Sequence, residues 1–144
     1  MYLFLVHHAD ALPPDVDHLR PLSSAGMAHA ERVAAELKAR GARPSMVWHS
    51  GKLRARQTAE ACWRALNPLA TFVAVRGLRP EDDPAVFLDT LTGEEGDVLA
   101  AGHMPNLPRL LHRLTGRSDF PQHGAVALER TNDGFAERWR VGGG

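Results

Sequence analysis

Apolar positions along this chain come in short runs at 2–6, 46–49, 71–75 and 98–101, and at helical spacing in between. Runs of this length, bounded by turn-forming residues, predict buried strands. The first helix is expected from an N-cap at Ser23 to Arg40, with Gly41 as its stop and Met27, Ala30, Val33, Ala34 and Leu37 as its apolar stripe. Ser50 is expected to cap a second helix reaching about Leu66, where Asn67-Pro68 ends it. Asp83-Pro84 is a cap-plus-first-turn signature for a third helix carrying Phe87, Leu88 and Leu91. Pro105 opens a fourth that Gly116 stops. Segments 125–130 and 135–141 alternate around Asn132-Asp133-Gly134, which predicts a hairpin. The expected fold is α/β: a single three-layer α/β/α domain over residues 1–144, with a mostly parallel sheet and an antiparallel C-terminal hairpin. The terminal Gly142-Gly143-Gly144 reads as a frayed end.

Two of the strands end on histidine. The run from Tyr2 to Val6 stops at His7-His8, and the run from Val98 stops at Gly102-His103. Open α/β sheets build their sites at the carboxyl ends of strands, and right-handed crossovers should bring these two ends to one edge of the sheet. If the first strand continues, His7 and His8 face opposite ways. Arg20 and Arg54 lie between the two histidine segments in sequence. Imidazoles with guanidiniums suggest work on an anionic group, phosphate above all.

The bulk properties leave such a site as a local feature. Lys and Arg number 17, Asp and Glu 17, so the formal net charge is zero and nothing global favours nucleic acid or an anionic membrane. A hydrophobic content of 44% and a charged content of 24% are those of a globular protein with a core. Cys62 is the one cysteine, expected to be a small buried hydrophobe. The N-terminal apolar run is too short for a signal peptide and no run is long enough to span a bilayer, so the expectation is a soluble, cytoplasmic protein.

Four segments occur in order: Leu5-Val6-His7-His8-Ala9-Asp10; Arg20-Pro21-Leu22-Ser23 followed by Gly26; Ser50 with Leu53-Arg54 and Gln57-Thr58; and Gly102-His103-Met104-Pro105. Together they resemble the motifs of the histidine phosphatase (phosphoglycerate mutase-like) superfamily, and most closely its small SixA-like phosphohistidine phosphatase branch. The resemblance implies a phosphatase fold over essentially the whole chain. It implies His8 as the nucleophile that becomes phosphorylated, and His103 as the second histidine beside the phosphoryl group. Arg54 takes the place of the phosphate-gripping arginine after the second strand, and Arg20 that of a further arginine of the branch. It implies neither metal nor other cofactor. The family's motif places an arginine before the nucleophile; His7 stands there instead and is the candidate third phosphate ligand.

A histidine nucleophile must be neutral and aimed, which an unperturbed pKa of about 6.5 permits at pH 7. One ring nitrogen should donate to a backbone carbonyl so that the other presents its lone pair. The arginines, His103 and the first N–H groups of the helix at Pro105 would stabilise the equatorial oxygens. An alkoxide leaving group calls for a general acid; Glu81, Asp82 and Asp83 lie in the loop where one could sit, and no motif chooses among them, with Glu81 taken as the candidate. Imidazole leaves with far less help, which favours phosphohistidine, in a protein or peptide, over a small phosphomonoester. Both substrates remain open, as does a phosphate-binding protein whose catalysis is weakened by His7. His123 is a candidate for the site rim. His18, His29 and His112 are expected at the surface, His49 as a structural residue, and Trp48, Trp63 and Trp139 as core anchors.

Overall fold

The computed structural model describes residues 1–142; the reading of the last two glycines as a frayed end lies outside them. The chain runs β1 (Tyr2–His7), α1 (Ser24–Ala39), β2 (Met46–His49), α2 (Leu53–Leu66), β3 (Thr71–Ala74), α3 (Pro84–Leu91), β4 (Val98–Gly102), α4 (Asn106–Thr115), β5 (Ala125–Thr131) and β6 (Gly134–Val141). All ten expected elements are present. The sheet order is β3-β2-β4-β1-β5-β6. The first four strands of that order pair in parallel, and β5 and β6 join antiparallel.

Alternation along the strands creates the three layers. Phe4, Val6, Val47, Leu99 and Ala101 pack on one face with Val33 and Leu37 of α1 and Ala59, Cys62 and Leu66 of α2. Leu3, Leu5, Trp48, Val98 and Ala100 pack on the other with Phe87 and Leu91 of α3 and Leu107, Leu110 and Leu111 of α4. Two-sided burial explains why β1 and β4 read as unbroken apolar runs rather than alternating ones. Burial pushes the Cys62 thiol up to about 12, so it is a core side chain. The tryptophans are structural as expected: Trp48 packs edge-on against Phe87, and the Trp63 indole donates to the Ala70 carbonyl. No helix among the described residues is long and apolar enough to cross a membrane.

Two expectations need correcting. Met27 is 38% exposed, and Gly26 takes its place on the buried face of α1. Gly26 is used because α1 begins hard against the loop after β1: a Cβ there would collide with the Asp10 carbonyl oxygen. Ser50 does not cap α2. The N-cap position belongs to Lys52, with no side-chain cap bond; Ser50 lies two residues before it, where its hydroxyl oxygen accepts Lys52 N–H at 3.2 Å and meets His103 Nε2 at 2.7 Å. Pro105 opens α4 from its N-cap position, and Gly116 closes that helix in the left-handed region, both as expected.

Parallel pairing of β1 with β4 sets His7 opposite Gly102. The next residue of each strand, His8 and His103, therefore leaves the same edge of the sheet side by side. Pairing of β2 with β4 sets His49 opposite Ala101, which brings Ser50 to that edge as well.

Gly26→Ala tests how closely α1 and the strand-end loop are matched. It should destabilise the protein by about 1–3 kcal/mol, the usual cost of overpacking, read as a lower urea midpoint with unchanged m-value. A variant as stable as the parent would mean that the α1 start is free to shift.

Candidate active site

The main chain from His7 to Asp10 is tied at every step. His7 N–H donates to the Gly124 carbonyl at 2.9 Å and His8 N–H to the Gly102 carbonyl at 3.1 Å. Ala9 N–H donates to the Thr58 hydroxyl at 3.1 Å, which itself donates to the Arg54 carbonyl. The Asp10 carbonyl accepts from Ser23 N–H. Gln57 Oε1 accepts from Leu22 N–H at 2.7 Å, pinning the segment after Arg20 to α2. Gln57 and Thr58 thus hold the two loops that carry His8 and Arg20. The motif contained both residues, but nothing in their chemistry had marked them as anchors.

A cavity of about 500 Å³ opens at this edge, lined by His7, His8, Asp10, Ala11, Arg20, Arg54, Pro80, His103, Met104, Gln122 and His123. Five of the six candidate site residues thus meet. Glu81 does not: its side chain is 80% exposed and pairs with Arg109 at 3.5 Å, outside the cavity wall. The loop bearing it turns outward because Asn106, fully buried, donates from Nδ2 to the Gly77 and Asp82 carbonyls. The carboxylate at the wall is instead Asp10, whose Oδ2 accepts the Ser23 hydroxyl at 2.7 Å.

The hydrogen bonds specify the histidine tautomers. His8 Nδ1 lies 2.7 Å from the Ala9 carbonyl oxygen, an acceptor, so Nδ1 carries the hydrogen and Nε2 keeps a lone pair. His7 is the opposite case. Its Nδ1 accepts the His123 backbone N–H at 2.7 Å, so a neutral His7 carries its hydrogen on Nε2. His123 Nδ1 donates to the His8 carbonyl at 2.7 Å. His103 Nε2 meets the Ser50 hydroxyl at 2.7 Å, while its Nδ1 is buried without a partner. His7 and His8 do not face opposite ways, since the strand ends at His7; their ring centroids are 4.6 Å apart, and His8 lies 5.0 Å from His103.

His7, His8 and His103, the three histidines at this edge whose shifts are large, are held neutral. Desolvation by burial is the main cause in each. His7 is pushed down to about 3, with His8, His123 and Arg54 adding to the effect. His8 is pushed down to about 4; its bond to Ala9 opposes the shift, and Arg54, His123 and Arg20 reinforce it. His103 is pushed down to about 2, with His8 and Arg54 contributing. His103 therefore adds no third positive charge to the free site. The cations are the two arginines. Burial, then the Arg20 charge, lowers the Arg54 guanidinium, and its Nε is buried without a partner. Arg20 is held in the left-handed region at φ 50 and donates from Nε to the Leu12 carbonyl, which orients the fork. Neither arginine forms an ion pair with a carboxylate among the described residues.

Nitrogen atoms of His7, His8 and His123 lie within 4.8 Å of one another, close enough to consider a metal. The hydrogen bonds do not fit one. His8 and His123 present lone pairs, but His7 presents an N–H, and two neighbouring guanidiniums oppose a cation. The arrangement suits a tetrahedral oxyanion: donors and positive charge around a lone pair on His8 Nε2.

The remaining histidines are as expected with one exception. His18 and His112 are exposed, and His49 is buried, its Nδ1 accepting Gly51 N–H. His29 is half-buried and bonds through Nε2 to the His123 carbonyl at 3.0 Å, so it belongs to the support of the site.

No family model matches the chain, and no curated protein does. Solved structures do. The protein histidine phosphatase SixA, complexed with tungstate, superposes with a TM-score of 0.86 at 26% identity, over 99% of this chain and 97% of that one. A proposed phosphohistidine phosphatase SixA from Agrobacterium tumefaciens gives 0.82 at 25%, over 97% and 96%. Phosphoglycerate mutase from Plasmodium falciparum shares the fold, with a TM-score of 0.71 at 18% identity over 96% and 88%. The resemblance read from the motifs is borne out: the chain is similar in architecture to SixA-like histidine phosphatases, and the matches support a hydrolase of the phosphatase class.

The depressed histidines predict a specific acid sensitivity. A group whose folded pKa lies below its unfolded value adds stability that is complete above the unfolded pKa, about 6.5 for imidazole, and is lost as pH falls toward the folded one. Stability should therefore fall steadily below pH 6.5, with His7, His8 and His103 together taking up about three protons on unfolding at pH 5. The pH dependence of the urea midpoint measures this. A midpoint flat between pH 7 and 5 would show that these imidazoles are not desolvated.

Proposed function

We propose that this SixA-like phosphatase acts through a phospho-His8 intermediate, without a metal, on phosphohistidine in a protein or peptide. The observation that carries the reading is the His8 Nδ1–Ala9 bond, which leaves Nε2 unprotonated at the cavity wall. In the first step the Nε2 lone pair attacks phosphorus. The substrate's P–N bond breaks and its electron pair returns to the departing imidazole. In the second, a water oxygen attacks the phosphoryl group and the P–N bond to His8 breaks. Because Nδ1 has kept its hydrogen, His8 leaves as neutral imidazole and needs no general acid. Arg20, Arg54 and the His7 N–H stabilise the equatorial oxygens, and His103, held through Nε2 by Ser50, lines the same cavity.

The substrate reading follows from the leaving group. A P–N substrate also departs as imidazole, so the outward turn of Glu81 costs this reaction nothing. An alkyl phosphate needs a proton donor. Asp10 at the cavity wall keeps a small phosphomonoester as the second reading. Residues 1–144 would act as one domain, in the cytoplasm, on a phosphorylated protein or, on the second reading, a small phosphorylated molecule.

Rapid quenching with a labelled phosphohistidine peptide should place the label on His8, and His8→Ala should abolish turnover. Label on another residue, or vanadate binding without turnover, would overturn the reading. Turnover of p-nitrophenyl phosphate at or above the peptide rate would favour the phosphomonoester.

Arg54→Ala should lower kcat by about 10²–10³-fold, as loss of an oxyanion donor does. Lys52→Ala and Glu81→Gln should stay within about twofold of the parent, as expected for surface changes away from the chemistry. A comparable loss in Glu81→Gln would return that residue to the mechanism.

A further inference from the structure

His123 is the least expected member of the site. It stands in the left-handed region at φ 55, a conformation rare for side-chain-bearing residues and tolerated best by Asn, Asp and His. That backbone setting lets it do two things at once. Its N–H points at His7 Nδ1 at 2.7 Å, and its ring Nδ1 donates to the His8 carbonyl at 2.7 Å. Its ring stacks on His7 with centroids 4.8 Å apart and planes within 5°. Its carbonyl is held by His29 Nε2 at 3.0 Å, and the next residue's carbonyl accepts His7 N–H. The loop before β5 thus grips the end of β1 on both sides of the nucleophile.

We propose that His123 is a positioning residue that makes His7 a neutral stand-in for the missing arginine: its backbone N–H fixes His7 in the tautomer that presents Nε2–H to a phosphoryl oxygen, and its ring holds the carbonyl of His8. The inference rests on reading the cavity as a phosphoryl site. It changes what His7 does. An imidazolium at this position would have to form beside Arg20, Arg54, His8, His103 and His123, with only Asp10 as counter-charge at the wall. Placing a second hydrogen on Nδ1 would also break the bond from His123 N–H. A neutral Nε2–H asks for neither. The site then holds its anion with two charged forks and one neutral donor, and none of His7, His8 and His103 must change charge between pH 5 and 8.

Three measurements on the full chain test this. In ¹⁵N-histidine spectra at pH 7, His7 should show Nδ1 unprotonated and Nε2 protonated, and added vanadate should shift the Nε2 resonance while leaving the tautomer unchanged. His123→Asn places an amide nitrogen where the ring has Nδ1 and tolerates the left-handed backbone, so it should keep the His7 tautomer and lose only about threefold in kcat. His123→Val resists φ 55; it should scramble the tautomer and lower kcat about tenfold or more. On the His7→Arg background, a guanidinium needs no tautomer, so His123→Val should cost at most about threefold, the non-additivity expected of coupled positions. Hydrogen on His7 Nδ1 in the parent protein would overturn the proposal whatever the variants do. So would a His123→Val penalty that is the same with and without His7→Arg. Should phosphohistidine prove not to be turned over, the function proposed above fails, whereas the tautomer and the vanadate shift still decide the role of His123.

Discussion

The bond from His8 Nδ1 to the Ala9 carbonyl decides which nitrogen of that ring keeps a lone pair, and much of the surrounding structure serves to hold the two in place. The acceptor belongs to the residue that follows His8, so a small rotation of either peptide plane would break it. That rotation is blocked from four directions. β4 holds His8 N–H, α2 holds Ala9 N–H through Thr58, the start of α1 holds the Asp10 carbonyl, and the loop before β5 holds the His8 carbonyl. Each anchor comes from a different element of the fold. The sheet order matters because it seats β1 between β4 and β5, where two of those anchors reach it directly.

Desolvation sets the charge of the site. Burying imidazoles beside two guanidiniums with no carboxylate paired to them disfavours further positive charge, and the histidines respond by staying neutral. The same burial leaves polar atoms on Arg54 and His103 without partners. Unsatisfied buried polar atoms of this kind cost folding stability. Stability is given up at this edge of the sheet, a common arrangement at functional sites.

The elements, the layers and the five candidate residues that line the cavity were legible in the sequence, for identifiable reasons. Strands buried on both faces must be apolar throughout, so β1 and β4 announced themselves, and their histidine ends lay just beyond the apolar run. Parallel pairing then required only the handedness of crossovers to bring His8 and His103 together. What was not legible depended on backbone detail. Ser50 reads as an N-cap by type, but only the β2–β4 register shows that His103 is within its reach. Glu81 sits in the right loop by sequence, yet the side chain of Asn106 fixes the direction in which that loop turns. Nothing in the local sequence requires His123 to adopt a left-handed conformation, and without it neither of its bonds to β1 could form.

The chemistry and the electrostatics point the same way. A mechanism that must protonate an alkoxide needs a group that changes charge near neutrality, and the three buried histidines do not do so here. A phosphoryl group passed from one imidazole to another and then to water places a smaller demand on the protein, because each departing ring leaves as a neutral base. Such a site has to hold an anion in line with a lone pair and exclude competing charge. It gains nothing from a titrating histidine and loses reactivity if His8 takes up a proton. On that argument a neutral histidine at position 7 is compatible with a working site, since the residue there is asked for a hydrogen-bond donor at a fixed place, and the loop before β5 supplies the constraint that an arginine's permanent charge and several donors would have made unnecessary.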